Sequence, residues 1–120
     1  MDHARFIKQA LTRKIPLLSL AEERILSQIV QWTDDYLAAK VSGDSLAYLL
    51  APTTDICSKH FKYDHDKMLA LLNRFEKQKL ITKYRRKSSG LYGNGYDGSL
   101  YSEVIPTEWG RKVLSHNRSQ

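Results

Sequence analysis

Residues 64–87, DHDKMLALLNRFEKQKLITKYRRK, decide how the rest of the chain is read. With Leu72 at the centre of a buried face, steps of about 100° per residue bring Met68, Leu69 and Phe75 within roughly 60° of it. The opposite face holds Asp66, Lys67, Ala70, Asn73, Arg74, Lys77 and Gln78. This spacing predicts a helix over 65–79, capped by Asp64, apolar on one side and basic and polar on the other. From Leu80 to Lys87, β-branched and aromatic residues alternate loosely with cations, which predicts a strand.

The same region holds most of the net positive charge. Residues 64–90 carry Lys67, Arg74, Lys77, Lys79, Lys83, Arg85, Arg86 and Lys87 against Asp64, Asp66 and Glu76, eight basic against three acidic, within a chain of net charge +6. A concentrated excess reads as a contact surface for an anionic partner, nucleic acid first and an anionic membrane second; a solvated face that binds nothing is the bland alternative.

Working upstream, Ser19 and Glu22 have the spacing of a capping box. Ile25, Leu26, Ile29, Val30, Thr33, Tyr36 and Leu37 then form a 3-4 stripe, which predicts a helix over 20–39 that Ser42-Gly43-Asp44 stops. Ala47–Ala51 reads as a short strand or a helical turn. Pro52, Thr53 or Thr54 opens a helix over 53–61 that buries Ile56, Cys57 and Phe61, and Lys62-Tyr63 makes the turn into the helix at 65. Nearer the N-terminus, Phe6, Ile7, Ala10 and Leu11 share one face of a helix over 3–13, which Pro16 ends. This stripe has two outlets: it packs on its own core or crosses to a second copy.

Downstream, residues 88–99 contain four glycines and an Asn-Gly pair, a loop or hairpin tip. Leu100–Ile105 matches the first strand in length. Thr107 caps a final helix, Glu108 to Ser115, which buries Trp109, Val113 and Leu114.

The 120 residues amount to one domain, with residues 1–16 as an N-terminal helix or arm and 20–115 as its core. The lone cysteine, Cys57, forms no internal disulfide and reads as a small core residue; a reducing, cytoplasmic setting is expected. No run of 18 apolar residues and no signal-peptide core is visible, so neither a transmembrane helix nor a signal peptide is expected, and the preferred partner is not a membrane. GxSxG, P-loop and HExxH motifs are all missing, and the glycine-rich loop joins two strands rather than leading into a helix. His60, Asp64, His65 and Asp66 straddle a turn at spacings that match no common metal site. Neither an enzyme, a cofactor nor a metal is expected.

The order helix, short strand or turn, helix, turn, helix, strand, loop, strand, helix is that of a winged helix-turn-helix domain: mainly α, with a small β-hairpin as the wing. In that architecture the third helix is held by its apolar face, and its other face is free to enter a major groove about as wide as a helix. The candidate DNA contacts are Lys67, Asn73, Arg74 and Lys77 on that helix and Lys83, Arg85, Arg86 and Lys87 on the strand. Asn73 suits a bidentate contact to adenine, and the strand cations suit phosphates. Arg74 and Lys77 read equally well as plain surface charges, Glu76 as part of a structural ion pair, and Tyr84, Tyr92, Tyr96 and Tyr101 as cross-strand packing.

Two phrases also resemble a family. Arg74-Phe75-Glu76-Lys77-Gln78-Lys79-Leu80-Ile81, within Met68–Arg86, is similar to the helix-to-wing phrase of the multiple-antibiotic-resistance regulator (MarR) family, with Lys79 where that family usually has glycine. Ile105-Pro106-Thr107-Glu108-Trp109-Gly110-Arg111 is similar to the phrase that closes its wing. The resemblance covers roughly residues 54–114. It implies a transcriptional regulator that binds double-stranded DNA, and a homodimer with Phe6, Ile7, Leu11, Trp109 and Val113 at the interface. A winged-helix module that binds a protein partner or serves replication or assembly, of phage or plasmid type, is the alternative.

Overall fold

The computed structural model describes residues 15–45, 51–87 and 100–118. Its elements are α1 (Leu20–Val41), α2 (Thr54–Phe61), α3 (His65–Lys77), β1 (Ile81–Lys87), β2 (Leu100–Pro106) and α4 (Glu108–Arg118). The chain is therefore mainly helical, with one small two-stranded antiparallel sheet. The expected helix at 3–13, the Ala47–Leu50 stretch and the loop at 88–99 lie outside the described residues.

Local chemistry accounts for the helix starts. Ser19 Oγ accepts from the Glu22 amide at 3.1 Å while Glu22 Oε1 accepts from the Ser19 amide at 2.9 Å, so the capping box forms as read. Thr53 Oγ1 accepts from Ile56 N–H at 3.1 Å at the start of α2. Thr107 Oγ1 accepts from Gly110 N–H at 2.9 Å at the start of α4. Asp64 precedes α3 but makes no side-chain cap bond.

The first three helices end alike. Asp44 N–H donates to Ala39 O (3.0 Å), Tyr63 N–H to Ser58 O (3.0 Å) and Leu80 N–H to Phe75 O (2.9 Å). Each is the six-to-one bond of a Schellman turn, and the residue before each donor takes positive φ: Gly43 at 78°, Lys62 at 57° and Lys79 at 65°. At the end of α3 the donor Leu80 also buries its side chain with Phe75, both fully excluded from solvent.

One core joins all the elements. Ile25, Leu26 and Ile29 of α1 meet Cys57 of α2, Met68, Leu71, Leu72 and Phe75 of α3, Leu80, Ile81 and Val104 around the sheet, and Trp109, Val113 and Leu114 of α4. Three details differ from the sequence reading. Leu71 is buried although it lies about 100° from Leu72, because the covered arc of α3 is wider than a single stripe. Ile56 is 36% exposed, because α2 packs through Thr54 and Cys57, one turn apart, and Ile56 is turned away from that line. The buried side chains of α1 stop at Thr33, leaving Leu37 47% exposed, although the helix continues to Val41.

The bounds shift by a turn at most: α3 stops at Lys77 rather than at 79, and α4 runs on to Arg118 rather than ending at Ser115. In the sheet, Ile81 faces Pro106, Lys83 faces Val104 and Arg85 faces Ser102. On its other side β2 meets the segment entering α2: Thr53 bridges to Glu103, and Val104 N–H donates to Pro52 O at 2.9 Å.

Ion pairs and an amide clamp close the exterior. Arg111 meets Asp34 at 2.8 Å and Arg118 meets Glu23 at 3.7 Å, so α4 is tied to α1 at two points. Asn117 holds the segment before α1: its Oδ1 accepts from Leu18 N–H at 3.0 Å, and its Nδ2 donates to Pro16 O at 3.2 Å and Val113 O at 2.8 Å.

Candidate nucleic-acid interface

The outer face of α3 follows from its inner one. Once Met68, Leu71, Leu72 and Phe75 are buried, helical periodicity turns Lys67, Ala70, Asn73, Arg74 and Lys77 to solvent, and all five are exposed. The strand that follows lies beside this face. Lys83 Nζ donates to Asn73 Oδ1, and Glu76 Oε2 accepts from the Lys83 amide at 3.2 Å. Helix and strand thus contribute to one surface, and Glu76, half-buried, serves it by accepting a backbone amide rather than through the ion pair expected from the sequence.

The candidate contacts differ in how free they are. Arg74 is engaged: its Nη2 donates to Glu22 Oε2 at 2.8 Å, linking α3 to the capping box of α1. Lys67 Nζ stands 4.5 Å above the ring of Tyr63. Lys83 and Asn73 are engaged with one another. Among the described residues Lys77 and Arg85 have no ion-pair partner and extend into solvent. Of Arg86 and Lys87 only the backbone is described, opposite Tyr101 and Leu100 in the hairpin. The link between Arg74 and Glu22 spans 52 residues of sequence, and no local pattern announces it.

The carboxyl of Glu22 is pulled two ways. Burial pushes its pKa up, but its contacts with Ser19 and the Arg74 guanidinium outweigh burial and hold it below the usual value. At the start of α3 the charge is opposite to that of the outer face. Asp64 and Asp66 are exposed there, and His65 Nε2 lies 3.6 Å from Asp55 Oδ1 at the start of α2.

One expected role is corrected. Trp109 and Val113, expected at a dimer interface, are 6% and 0% exposed within the single chain, so they belong to its own core. They are spent there because α4 folds back onto α1 and β2 rather than projecting. Phe6, Ile7 and Leu11, the other interface candidates, lie outside the described residues. His60 does not join His65: its ring packs edge-on against Trp32 and Phe61, with centroids 5.0 and 4.8 Å away. Among the described residues no group of three or more His, Cys, Asp or Glu side chains is placed to hold a metal ion. Cys57 is fully buried, and burial pushes its thiol up to about 12. A thiol so held stays protonated at neutral pH, which argues against a reactive sensor.

No helix among the described residues is long and apolar enough to cross a membrane. Comparison with protein-family models, with curated proteins and with solved structures finds no match.

Proposed function

We propose that this chain is a winged helix-turn-helix domain that binds double-stranded DNA as a cytoplasmic transcriptional regulator, of the kind the MarR resemblance implies. In this reading α3 lies in the major groove with Asn73 toward the base edges. The β1–β2 hairpin is the wing, and Arg85, Arg86 and Lys87 at its root meet phosphates. The observation that carries the reading is the Lys83–Asn73 hydrogen bond, which joins the cationic strand to the polar face of α3 in one surface. The bridge between Thr53 and Glu103 supports it, since it ties β2 to the start of α2 and so to the helix pair. The partner copy in a homodimer would meet the amphipathic stretch at Phe6, Ile7 and Leu11.

A second reading is favoured by Asp55, Asp64 and Asp66, which set exposed negative charge at the starts of α2 and α3, where phosphates would be repelled. In that reading the domain binds a protein partner and no DNA.

Selection of bound duplex from a random pool, followed by salt titration of the winners, separates the two. The DNA reading expects an enriched sequence and a log–log salt slope of several units. The triple change Arg85→Ala, Arg86→Ala and Lys87→Ala then flattens that slope by about one unit per lost phosphate contact. A wild-type protein that enriches nothing and binds no duplex at low salt leaves only the protein-partner reading. Sedimentation at twice 13.9 kDa, reverting to monomer when residues 1–15 are deleted, tests the dimer.

A further inference from the structure

Three helices end in the same left-handed turn, and the residue that makes the turn differs between them in an ordered way. After α1 it is Gly43, at φ 78°. After α2 it is Lys62, at φ 57°, and after α3 it is Lys79, at φ 65°. Glycine takes this backbone conformation freely, whereas a residue with a Cβ crowds its own carbonyl there. The chain thus uses the unstrained residue at the helix end remote from α3. It uses strained lysines at the two turns that bracket α3, one just before His65 and one just after Lys77.

Lysine has no local hydrogen bond to offer a left-handed turn, unlike asparagine or aspartate, so backbone chemistry does not explain its choice. The side chains show what is gained. Both lysines are exposed. Among the described residues neither ammonium has a carboxylate or a ring as partner, whereas Lys67, Arg74, Lys83, Arg111 and Arg118 are each engaged. The six-to-one bonds of the two turns hold the backbone left-handed, but no internal contact uses either ammonium, and a lysine kept at such a position in place of glycine points to an external partner.

We infer that Lys62 and Lys79 are backbone-phosphate contacts that grip the duplex at the two ends of α3. This rests on the reading of the chain as a DNA-binding domain. The geometry of a groove suits the pair. The 13 residues of α3 span about 20 Å at 1.5 Å per residue, longer than the roughly 12 Å width of the major groove. The helix ends therefore come to lie near the flanking sugar–phosphate backbones while the middle, with Asn73, faces the bases. At the N-terminal end Lys62 also offsets Asp64 and Asp66, which alone would repel a phosphate. At the C-terminal end Lys79 extends the positive surface of Lys77 and Arg85.

The test uses the full chain with Lys62→Gly, Lys79→Gly, the double glycine variant, and Lys62→Arg with Lys79→Arg. Each glycine removes strain and charge together, so stability and binding move in opposite directions. The melting temperature rises by about a few degrees per glycine, as expected for relief of one positive-φ side chain. Duplex affinity falls on the order of tenfold per lysine at 0.1 M salt, and the log–log salt slope flattens by about 0.9 per lysine. The arginine variants keep wild-type affinity and slope and gain no stability. Glycine variants that melt higher but bind duplex with unchanged affinity and slope overturn the assignment while leaving the DNA reading intact. A glycine variant that melts lower removes the strain on which the assignment stands. Wild-type protein that shows no salt-dependent binding to any duplex overturns the DNA reading and the phosphate contacts together.

Discussion

Two regions a few residues apart obey opposite rules. Around Leu80 the backbone is packed against backbone. Its carbonyl accepts from Thr107 N–H at 3.0 Å, Thr107 Oγ1 donates to Lys79 O at 2.6 Å, and Gly110 sits so close that a Cβ there would lie 2.0 Å from the Leu80 oxygen. On the outer face of α3, and at Lys79 itself, side chains extend into solvent and the constraints are soft. Glycine stands at 110 because a neighbour leaves no room. Lysine stands at 79, where only the backbone's own preference argues for glycine. Contact between separate segments is thus a harder constraint than local conformation, and the chain gives way on the second while keeping the first.

The sharpest way to break this comparison is Gly110→Ala. The clash is with backbone rather than with a flexible side chain, so α4 must shift away from the turn after α3. Loss of at least about 3 kcal/mol is expected, at the upper end for overpacking, read from urea midpoints. A variant within about 1 kcal/mol of wild type would mean that the junction is soft after all.

Next in size is Thr107→Ala. It removes the cap of α4 and the tie to Lys79 O, and a loss of about 1–2 kcal/mol is expected by thermal or urea denaturation. Little or no loss would mean that the packing of Gly110, and not the hydroxyl, holds the junction.

The contact between Arg74 and Glu22 sharpens the comparison on the side of the soft surface. Because the Glu22 pKa is lowered in the folded chain, its contribution is present above the unfolded carboxylate value of about 4.3 and is lost as pH falls through the folded value. Glu22→Gln should therefore lower stability at pH 7 modestly, and the gap to wild type should close below about pH 4. A gap that stays constant from pH 7 to pH 3 would show that the charge contributes nothing.

The smallest effect on stability is expected at Asn73→Ala, within about 0.5 kcal/mol, since the side chain is exposed and its hydrogen bond to Lys83 is a surface one. Under the DNA reading the same variant loses about 1–3 kcal/mol of discrimination between specific and random duplex. Melting and binding curves on one preparation read both. A large fall in melting temperature would show that the bond to Lys83 is structural and that the face is not free.

By itself the sequence determined what is local or periodic. The Ser19–Glu22 box lies within four residues, the α3 stripe repeats every turn, and Thr107 precedes the apolar run it caps, so helices, strands and their order were legible within a turn. The concentration of cations at 64–90 was legible too, because charge is read directly from residue type. Tertiary structure alone decided which charges stay free. Arg74 is taken up by Glu22 across 52 residues, Asn73 by Lys83 on the neighbouring strand, and Trp109 and Val113 by the chain's own core rather than by a second copy. It also decided that Gly110 faces the Leu80 carbonyl. The physical reason is common to all of these: each depends on where two distant segments meet, and that leaves no periodic trace along the chain.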